Sequence, residues 1–338
     1  MRAVVWTAYG SPEVLQLQEI PKPVPKDHEI LIRIHAATVT AGDCELRALK
    51  LPMMLALPMR LYTGVLRPKR MKILGQEFSG TIESVGKIVR RFQEGDEVFG
   101  ITGFSSGGYA EYLCRPEHPK DMDGVITTKP ASIAFHEAAA ISLGGLESLH
   151  CLRRADIRPG QTALIIGAGG SIGTIGVQLA KHFGAEVTAV DSTHKLDMLR
   201  SIGADHVIDY TQEDFTENGH AYDVIFDVVG KTPIARGMSS LRDGGIYLMA
   251  NPRISKMLRG RLATRGARKR IVFGNVAYST ERLDYLKGLV EEGTVNVVID
   301  RTYPLEETAE AHRYVETGKK AGNVIITIRD HDTQGGDS

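Results

Sequence analysis

The sequence predicts an α/β protein of two domains, one rich in antiparallel strands and the other built on a parallel sheet. Three observations lead to this prediction. The chain of 338 residues is longer than one typical domain. Short strand-like runs broken by glycine and proline fill residues 1–129, and strand-like and helix-like runs alternate from residue 131 onward.

Composition is that of an ordinary globular protein and excludes several classes. Hydrophobic residues make up 42% and charged residues 24% of the chain, so disordered, collagen-like and disulfide-scaffold proteins are excluded. The formal net charge is zero, so we expect no nucleic-acid partner, and any contact with an anionic polymer or membrane must use a local patch.

Cysteine usage and the N-terminus predict the compartment. The chain has three cysteines, Cys44, Cys114 and Cys151, which stand far apart without a CxxC pair. An odd number of isolated cysteines fits a reducing compartment, and we expect the cytoplasm. The N-terminus runs directly into alternating apolar residues, and no stretch approaches ~18 apolar residues, so we expect neither secretion nor a membrane span.

The first domain is predicted to contain strands at residues 3–6, 29–36, 78–85, 97–100 and 110–114. An apolar segment at residues 46–71 is interrupted by Pro52, Pro58 and Pro68, which exclude one long helix. We interpret this segment as a partly helical insertion, with a lid over a site as one hypothesis.

The second domain is predicted to alternate strands and helices. The strands lie at residues 163–166, 187–190, 206–208, 224–227, 246–249 and 272–273, and helices at 172–183 and 195–202 end before Gly184 and Gly203. Beyond residue 276 we expect helices at 281–291 and 305–316 and a strand at 323–328. The polar tail at 331–338 is expected to be disordered.

The strongest chemical signal is a glycine cluster between a buried strand and a helix. Gly167, Gly170 and Gly173 allow a backbone to turn sharply while a pyrophosphate approaches the N–H groups at the positive helix end. The same type of turn also occurs in proteins that bind no nucleotide. With a second strand and an acid following in order, we predict a dinucleotide site that involves Gly167, Gly169, Gly170, Ser171, Ile172 and Gly173.

Cofactor choice is left open by the residues that follow. Asp191 lies 18 residues after Gly173, where a carboxylate binds the adenosine ribose and repels a 2′-phosphate, which favours NADH. Ser192, Thr193 and Lys195 could instead hold a 2′-phosphate, or simply begin a helix. The cofactor is therefore predicted as NAD(P)H, with Asp191, Ser192, Thr193 and Lys195 around its adenosine half.

Seven sequence blocks, in order, resemble the medium-chain dehydrogenase/reductase superfamily, in its zinc-independent quinone oxidoreductase branch. They include ILGQEFSGTIESVG (73–86), FQEGDEVFG (92–100), GGYAEY (107–112), AAAISLGGLESL (138–149), the glycine cluster itself, LRSIGADHVIDY (199–210) and GNVIITI (322–328). The resemblance implies a Rossmann doubly wound parallel sheet, residues 131–276, inserted in a GroES-like β-rich substrate domain, residues 1–130 plus 277–330.

The resemblance also implies where the nicotinamide half of the cofactor lies. The carboxyl ends of the later strands should contribute Val229, Ala250, Asn251, Phe273, Gly274 and Asn275. Each of these residues could equally mark the end of a strand or a turn.

Zinc is not expected. Zinc-dependent members hold the metal through a cysteine, a histidine in a GHE motif and a further cysteine or aspartate, but here the motif has Gln76 in place of the histidine. Cys44 is one position out of register, Cys151 lies past the last ligand position, and three cysteines cannot form a four-cysteine structural site.

Without a Lewis acid, the expected reaction is hydride transfer from NAD(P)H to a quinone or an α,β-unsaturated carbonyl. The catalytic candidates are Thr40, which stands where the branch often has asparagine, Asp43, and Tyr62 in the insertion. Their structural alternatives are a strand-end hydroxyl, a helix cap and a packing aromatic.

Two further hypotheses concern partners and function. Residues 253–270 form a basic stretch without an acid, and a solvated helix or a neighbour of the cofactor phosphates is favoured over nucleic-acid binding because no aromatic interleaves it. The alternative function is a non-catalytic dinucleotide-binding protein of the same fold. The substrate is expected to be a small molecule, and a homodimer is left open.

Overall fold

In a computed structural model of the protein, the described residues are 1–51, 53–120, 123–250, 268–274 and 278–328. They form two compact units. The first comprises the described residues within Met1–Leu143, Tyr278–Glu291 and Ile299–Ser338, and the second those within Gly144–Ala277 and Glu292–Val298. The division at residue 143 falls after the boundary predicted near residue 131.

The strands are numbered in chain order: β1 (Arg2–Trp6), β2 (Leu15–Glu19), β3 (Glu29–Thr38), β4 (Glu77–Val85), β5 (Glu97–Ile101), β6 (Tyr112–Pro116), β7 (Val125–Thr128), β8 (Thr162–Ile166), β9 (Glu186–Asp191), β10 (His206–Asp209), β11 (Tyr222–Asp227), β12 (Leu241–Met249), β13 (Arg270–Phe273), β14 (Ile299–Pro304) and β15 (Asn323–Thr327).

The described α-helices are α1 (Ala41–Ala48), α2 (Met53–Thr63), α3 (Phe135–Ala155), α4 (Ser171–His182), α5 (Leu196–Ser201), α6 (Ile234–Ser239), α7 (Thr280–Glu291) and α8 (Thr308–Glu316). No helix among the described residues is long and apolar enough to cross a membrane.

The first unit is built on a sheet of order β14-β15-β3-β4-β5-β7, with β6 paired to β3 and a separate β1–β2 hairpin. Its pairs are antiparallel as predicted, except that β14 runs parallel to β15. Strand β3 is buried along most of its length, and Ile32 pairs with Ile82 of β4 inside the core. Helix α1 follows the carboxyl end of β3, so the start of α1 lies beside this core.

The second unit contains the predicted parallel sheet, of order β10-β9-β8-β11-β12-β13. Its central strands are almost continuously buried, as expected for a sheet covered on both faces. The order reverses between β8 and β11, and in parallel sheets the crevice beside such a reversal is where ligands bind. The glycine cluster follows β8 at this position.

Several elements differ from the sequence prediction. Strand β6 lies two residues later than predicted, and the helices predicted at 195–202 and 305–316 each begin with a 3-10 turn before α5 and α8. Strands β2, β7 and β14 and helices α3 and α6 were not predicted. The segment at 46–71 is partly helical, as predicted, with Pro58 inside α2. Residues 331–338 and 253–267 lie outside the described residues.

Candidate functional site

The glycine turn joins β8 to α4 through a tight loop. Gly167 has φ +78°, in the left-handed region that favours glycine, and its N–H donates to the carbonyl oxygen of Val190 at 3.0 Å. A Cβ built at Gly167 would lie 2.3 Å from Cγ2 of Val229, in the loop after β11. The positive φ and the side chain of Val229 thus both disfavour a side chain at this first position.

Gly173 and Gly170 have different reasons to be glycine. A Cβ at Gly173 would lie 2.3 Å from the carbonyl oxygen of Gly167, so α4 can pack against the turn only if this residue has no side chain. Among the described residues, the atom nearest to a Cβ built at Gly170 is the carbonyl oxygen of Gly167, at 3.7 Å, and the φ of −94° is accessible to any residue. The protein itself does not require glycine at position 170.

The first turn of α4 is arranged to receive an anion. Gly170 is the N-cap and offers no side-chain cap, and no acid lies in the first turn. In general, the first N–H groups of an α-helix have no partner within the helix and carry the positive end of its dipole. An uncapped, glycine-lined helix start fits a phosphate group.

Asp191 ends β9 beside this turn and is bound on several sides. Its Oδ2 accepts the N–H of Gly169 at 2.8 Å, and its Oδ1 accepts the N–H of Ser192 at 2.8 Å. The ammonium group of Lys195 lies 3.0 Å from Oδ1, and both side chains are 8% exposed. The charge of Asp191 is therefore compensated by a lysine within the protein.

The other residues of this predicted group are placed less uniformly. Ser192 also donates through its hydroxyl to Asp191 at 3.2 Å, whereas the Thr193 hydroxyl donates to Asp209 of β10. This hydroxyl hydrogen bond is the main reason that the pKa of Asp209 is lowered. The structure brings Gly169, Asp191, Ser192 and Lys195 together and directs Thr193 to the neighbouring strand.

The residues predicted for the nicotinamide half follow the ends of β11, β12 and β13. Val229 is 46% exposed, Ala250 N–H donates to Asp227 O at 3.2 Å, and Gly274 N–H donates to Met249 O at 2.7 Å. Phe273 is partly buried against the core of the second unit. These four residues lie along one edge of the sheet, and Asn251 and Asn275 lie outside the described residues.

Asp227 ends β11 at this edge, where the sequence pattern also predicts it. It is fully buried, and its carboxylate accepts the N–H of Gly230 at 2.7 Å and the hydroxyl of Tyr247 at 2.9 Å. The hydrogen bond from Gly230 ties the loop after β11 to Asp227, which is itself held by Tyr247. Asp227 thus fixes this loop, whose Val229 lies against Gly167. Burial raises the pKa of the Tyr247 phenol, which therefore stays protonated as a donor.

In the first unit, Thr40 and Asp43 form a capping box at the start of α1. The Thr40 hydroxyl accepts the N–H of Asp43 at 3.0 Å and donates to the Asp43 carboxylate at 2.7 Å. That carboxylate also accepts the N–H groups of Thr40 and Gly75, at 3.0 and 3.3 Å. Asp43 is completely buried, which raises its pKa. This geometry favours the structural alternative for both residues.

Tyr62 is placed apart from this capping box. It lies on α2 with 40% of its surface exposed, beneath the guanidinium of Arg70 at 4.4 Å from the ring centroid. The described contacts of Tyr62 do not include Thr40 or Asp43, so the three predicted catalytic residues do not form one cluster. The phenol of Tyr109, by contrast, is fully buried and donates to Thr38 O at 3.2 Å.

Glu77 is a further buried carboxyl group, for which no role is predicted from the sequence. It accepts the hydroxyl of Thr38 and, at 2.6 Å, the N–H of Leu143. Burial raises its pKa to about 7, and the nearby Asp43 carboxylate adds to the increase. An acid at the start of the buried strand β4 was the available signal.

Gln76, the neighbour of Glu77, has a side-chain amide that is available to hydrogen-bond a ligand. It is half-buried, and no partner of its amide is found among the described residues. A Cβ at Gly42 would lie 3.3 Å from Gln76 Nε2 and 3.5 Å from Thr40 Oγ1, so this amide and the capping box flank the same glycine.

The residues at or near the zinc-ligand positions of the family do not fit a zinc site. Gln76 offers a neutral amide, and Cys44 places its sulfur 3.3 Å from Nδ1 of the buried His312. Burial raises the thiol pKa to about 12 for Cys44 and for Cys151, which disfavours the thiolate that zinc needs. Among the described residues, no group of three His, Cys, Asp or Glu side chains could hold a metal ion.

The chain is similar to two known domain families and to several known reductases. Residues 26–120 match the alcohol dehydrogenase GroES-like domain family, and residues 202–326 match the zinc-binding dehydrogenase family. The chain is 32% identical over 332 residues to 2-methylene-furan-3-one reductase of Solanum lycopersicum, covering 96% of this chain and 79% of that protein. It is 30% identical over 335 residues to NADPH-dependent alkenal/one oxidoreductase, chloroplastic, of Arabidopsis thaliana, with the same two coverages of 96% and 79%.

Among solved structures, the quinone oxidoreductase from Coxiella burnetii has a similar fold. The TM-score is 0.85 at 29% identity, and the match covers 97% of this chain and 99% of that one. The predicted combination of a GroES-like domain with a Rossmann-type parallel sheet is therefore confirmed.

Proposed function

Because this chain belongs to the medium-chain dehydrogenase/reductase superfamily, in its quinone oxidoreductase branch, we propose that it is a zinc-independent NAD(P)H-dependent reductase of quinones or α,β-unsaturated carbonyls. The observation that carries the proposal is the uncapped start of α4, where Gly170 leaves space that the protein does not use. The names of the relatives, enone reductases and quinone oxidoreductases, support this acceptor class.

The cofactor would be held by the second unit. The first turn of α4, with Gly167, Gly169 and Gly170, would receive the pyrophosphate, and Asp191 with Lys195 would face the adenosine ribose. Val229, Ala250, Phe273 and Gly274 would line the nicotinamide half. When bound, the nicotinamide supplies the hydride, and the protein has to orient it and exclude water.

For the acceptor, we revise the roles predicted for Thr40 and Asp43. The Thr40 hydroxyl hydrogen already donates to Asp43, so these residues would position the start of α1 rather than contact a substrate. The free amide N–H of Gln76 would instead donate to the acceptor oxygen as charge develops on it. Tyr62 stays a prediction as a substrate contact.

The donor chemistry of Gln76, Cys44 and Cys151 supports the proposed zinc independence. A glutamine amide and two thiols with raised pKa bind zinc poorly, and an already electrophilic quinone or enone needs no metal to accept a hydride. The three cysteines are unpaired, which supports the cytoplasm as the proposed compartment.

The test is steady-state oxidation of NADH and NADPH by the chelator-treated protein with a panel of quinones and enals. We expect turnover that zinc does not increase, and a fall in kcat for Gln76→Leu of about 100-fold, the usual effect of one lost donor to a developing charge. Loss of activity on chelation with recovery on adding zinc would contradict zinc independence. Cofactor binding without turnover of any acceptor would favour the alternative, a non-catalytic dinucleotide-binding protein.

A further inference from the structure

Exposed apolar side chains are concentrated in one short segment of the first unit. Among the described residues, eleven large hydrophobic side chains are exposed, and five of them lie within residues 57–66. Single exposed hydrophobic residues are normal, but a concentration of them marks an interaction surface. These five are Leu57 (63%), Leu61 (64%), Tyr62 (40%), Val65 (55%) and Leu66 (86%).

The segment is held in place by the protein beneath it. Thr63 is fully buried, and its carbonyl oxygen accepts the N–H groups of Lys69 and Arg70 at 2.9 and 3.1 Å, which closes the loop. The Tyr9 hydroxyl donates to the Gly64 carbonyl at 2.6 Å, and Met59 packs on the core. Leu57 and Leu61, one helical turn apart on α2, are therefore held outward by a folded support.

The same segment is strongly basic. No Asp or Glu occurs between Glu45 and Glu77, so the sequence in this interval carries no compensating charge. None of the segment's exposed basic side chains forms an ion pair with the described residues. These side chains are Arg60, Arg67, Lys69, Arg70 and Lys72.

We propose that residues 57–72, the basic apolar surface, dock on an anionic lipid membrane. The apolar side chains would enter the boundary between headgroups and acyl chains, while the basic side chains face the anionic headgroups. This combination fits a membrane better than the other occupants. A second copy joined through the same surface would oppose five positive charges with five, and nucleic acid offers no environment for exposed leucines.

The inference concerns where the protein binds and not what it reduces, and the variants that test it leave Tyr62, the predicted substrate contact in this segment, unchanged. Its test is flotation of the full chain with vesicles of phosphatidylcholine alone or mixed with phosphatidylglycerol. We expect binding only to the anionic vesicles, and weaker binding as salt is added.

Two paired variants divide the contributions. Arg67→Gln with Lys69→Gln should weaken vesicle binding about 25-fold, since each basic residue near an anionic surface contributes about fivefold. Leu61→Ser with Leu66→Ser should weaken it at least about tenfold through lost apolar burial. The matched control is Lys87→Gln with Ile88→Ser, also an exposed basic and apolar pair, which should bind as the parent does.

Four results would overturn the proposal. The parent could fail to float with anionic vesicles, or the Lys87 and Ile88 control could lose as much binding as the other variants. Light scattering could show a dimer that Leu61→Ser with Leu66→Ser converts to a monomer, which would assign the surface to a second copy. Retention of the parent by DNA or RNA, abolished by Arg67→Gln with Lys69→Gln, would assign it to nucleic acid. Unchanged thermal unfolding of every variant verifies that the fold is intact.

Discussion

The turn after β8 and the start of α1 are both helix beginnings rich in polar groups, but they use these groups differently. At the turn, the N-cap Gly170 has no side chain, and no described atom lies nearer than 3.7 Å to the position of a Cβ built there. At α1, Thr40 and Asp43 satisfy each other, and Asp43 is completely buried. The start of α4 has no side-chain cap, and we propose that it binds the ligand, whereas the start of α1 is capped by its own side chains.

Residue type alone therefore does not identify a functional group. The hydrogen-bonding capacity of a carboxylate can be fully used within the protein, as in Asp43, which accepts backbone N–H groups. A glycine such as Gly170, beside which a side chain would fit, can instead mark the place of a ligand. We therefore propose a binding function for the glycine turn and a structural function for the capping box, and the following predictions test that proposal.

The largest effect on stability is expected at Gly173, the glycine of the turn that packing requires. In Gly173→Val, the new Cβ would lie 2.3 Å from the carbonyl oxygen of Gly167. We therefore expect the free energy of unfolding to fall by more than about 4 kcal/mol. Urea unfolding followed by circular dichroism measures it. Gly288→Val is the control, because a Cβ there meets nothing within 4 Å. Equal stability of the two variants would contradict the packing described for Gly173.

The buried carboxyl Glu77 should make stability depend on pH. Its pKa is raised from 4.5 to about 7 in the folded protein, so as pH rises the unfolded chain ionises first and the folded state loses stability. The loss should reach about 3 kcal/mol by about pH 8. In Glu77→Gln, whose amide can donate to Thr38 and accept from Leu143, this decline should be much smaller. Equally steep declines in parent and variant, measured by urea unfolding at several pH values, would remove Glu77 as the cause.

Lys195 should control how strongly Asp191 discriminates between cofactors. In Lys195→Met the Asp191 carboxylate loses its partner at 3.0 Å, and its uncompensated charge then repels the 2′-phosphate of NADPH. We expect the KM for NADPH to rise about tenfold relative to that for NADH, or about 1.4 kcal/mol. Kinetics with both cofactors provide the measurement. An unchanged ratio would place the 2′-phosphate away from this pair.

The smallest effect is expected in the capping box. Thr40→Ala removes the cap of α1 and should cost about 1 kcal/mol of stability, with kcat nearly unchanged. Thr40→Ser retains the hydroxyl and should restore stability. A fall in kcat of about 100-fold in Thr40→Ala at unchanged stability would instead support the catalytic role predicted from sequence.

Much of the second unit could be predicted because its signals are local. The apolar runs of β8 and β9 and the glycines around α4 locate this part of the fold within about a residue. Helix α3 was missed because Gly144 interrupts its pattern, and the reason for that glycine is tertiary: a Cβ there would lie 2.7 Å from the Ser171 carbonyl oxygen of α4. Strand β14 was missed because it is polar and pairs only with β15.

The site was less predictable because its decisive features are contacts between distant residues. The position of Asp191 could be predicted from spacing, but its hydrogen bond to Gly169 and its pairing with Lys195 across a 3-10 turn could not. Burial of Glu77 depends on Thr38 and Leu143, which are far from it in sequence. Sequence patterns thus located the turn, and only the structure showed which polar groups are already used.

The most direct test of the contrast between the two helix starts is calorimetric titration of Gly170→Val with NADH and NADPH, together with thermal unfolding. We predict an unfolding temperature close to that of the parent, because the described residues leave room at this position. We also predict that collision with the pyrophosphate reduces cofactor affinity at least about 100-fold, or about 2.7 kcal/mol. Parent-like affinity for both cofactors in a folded Gly170→Val protein would contradict the binding role proposed for the glycine turn.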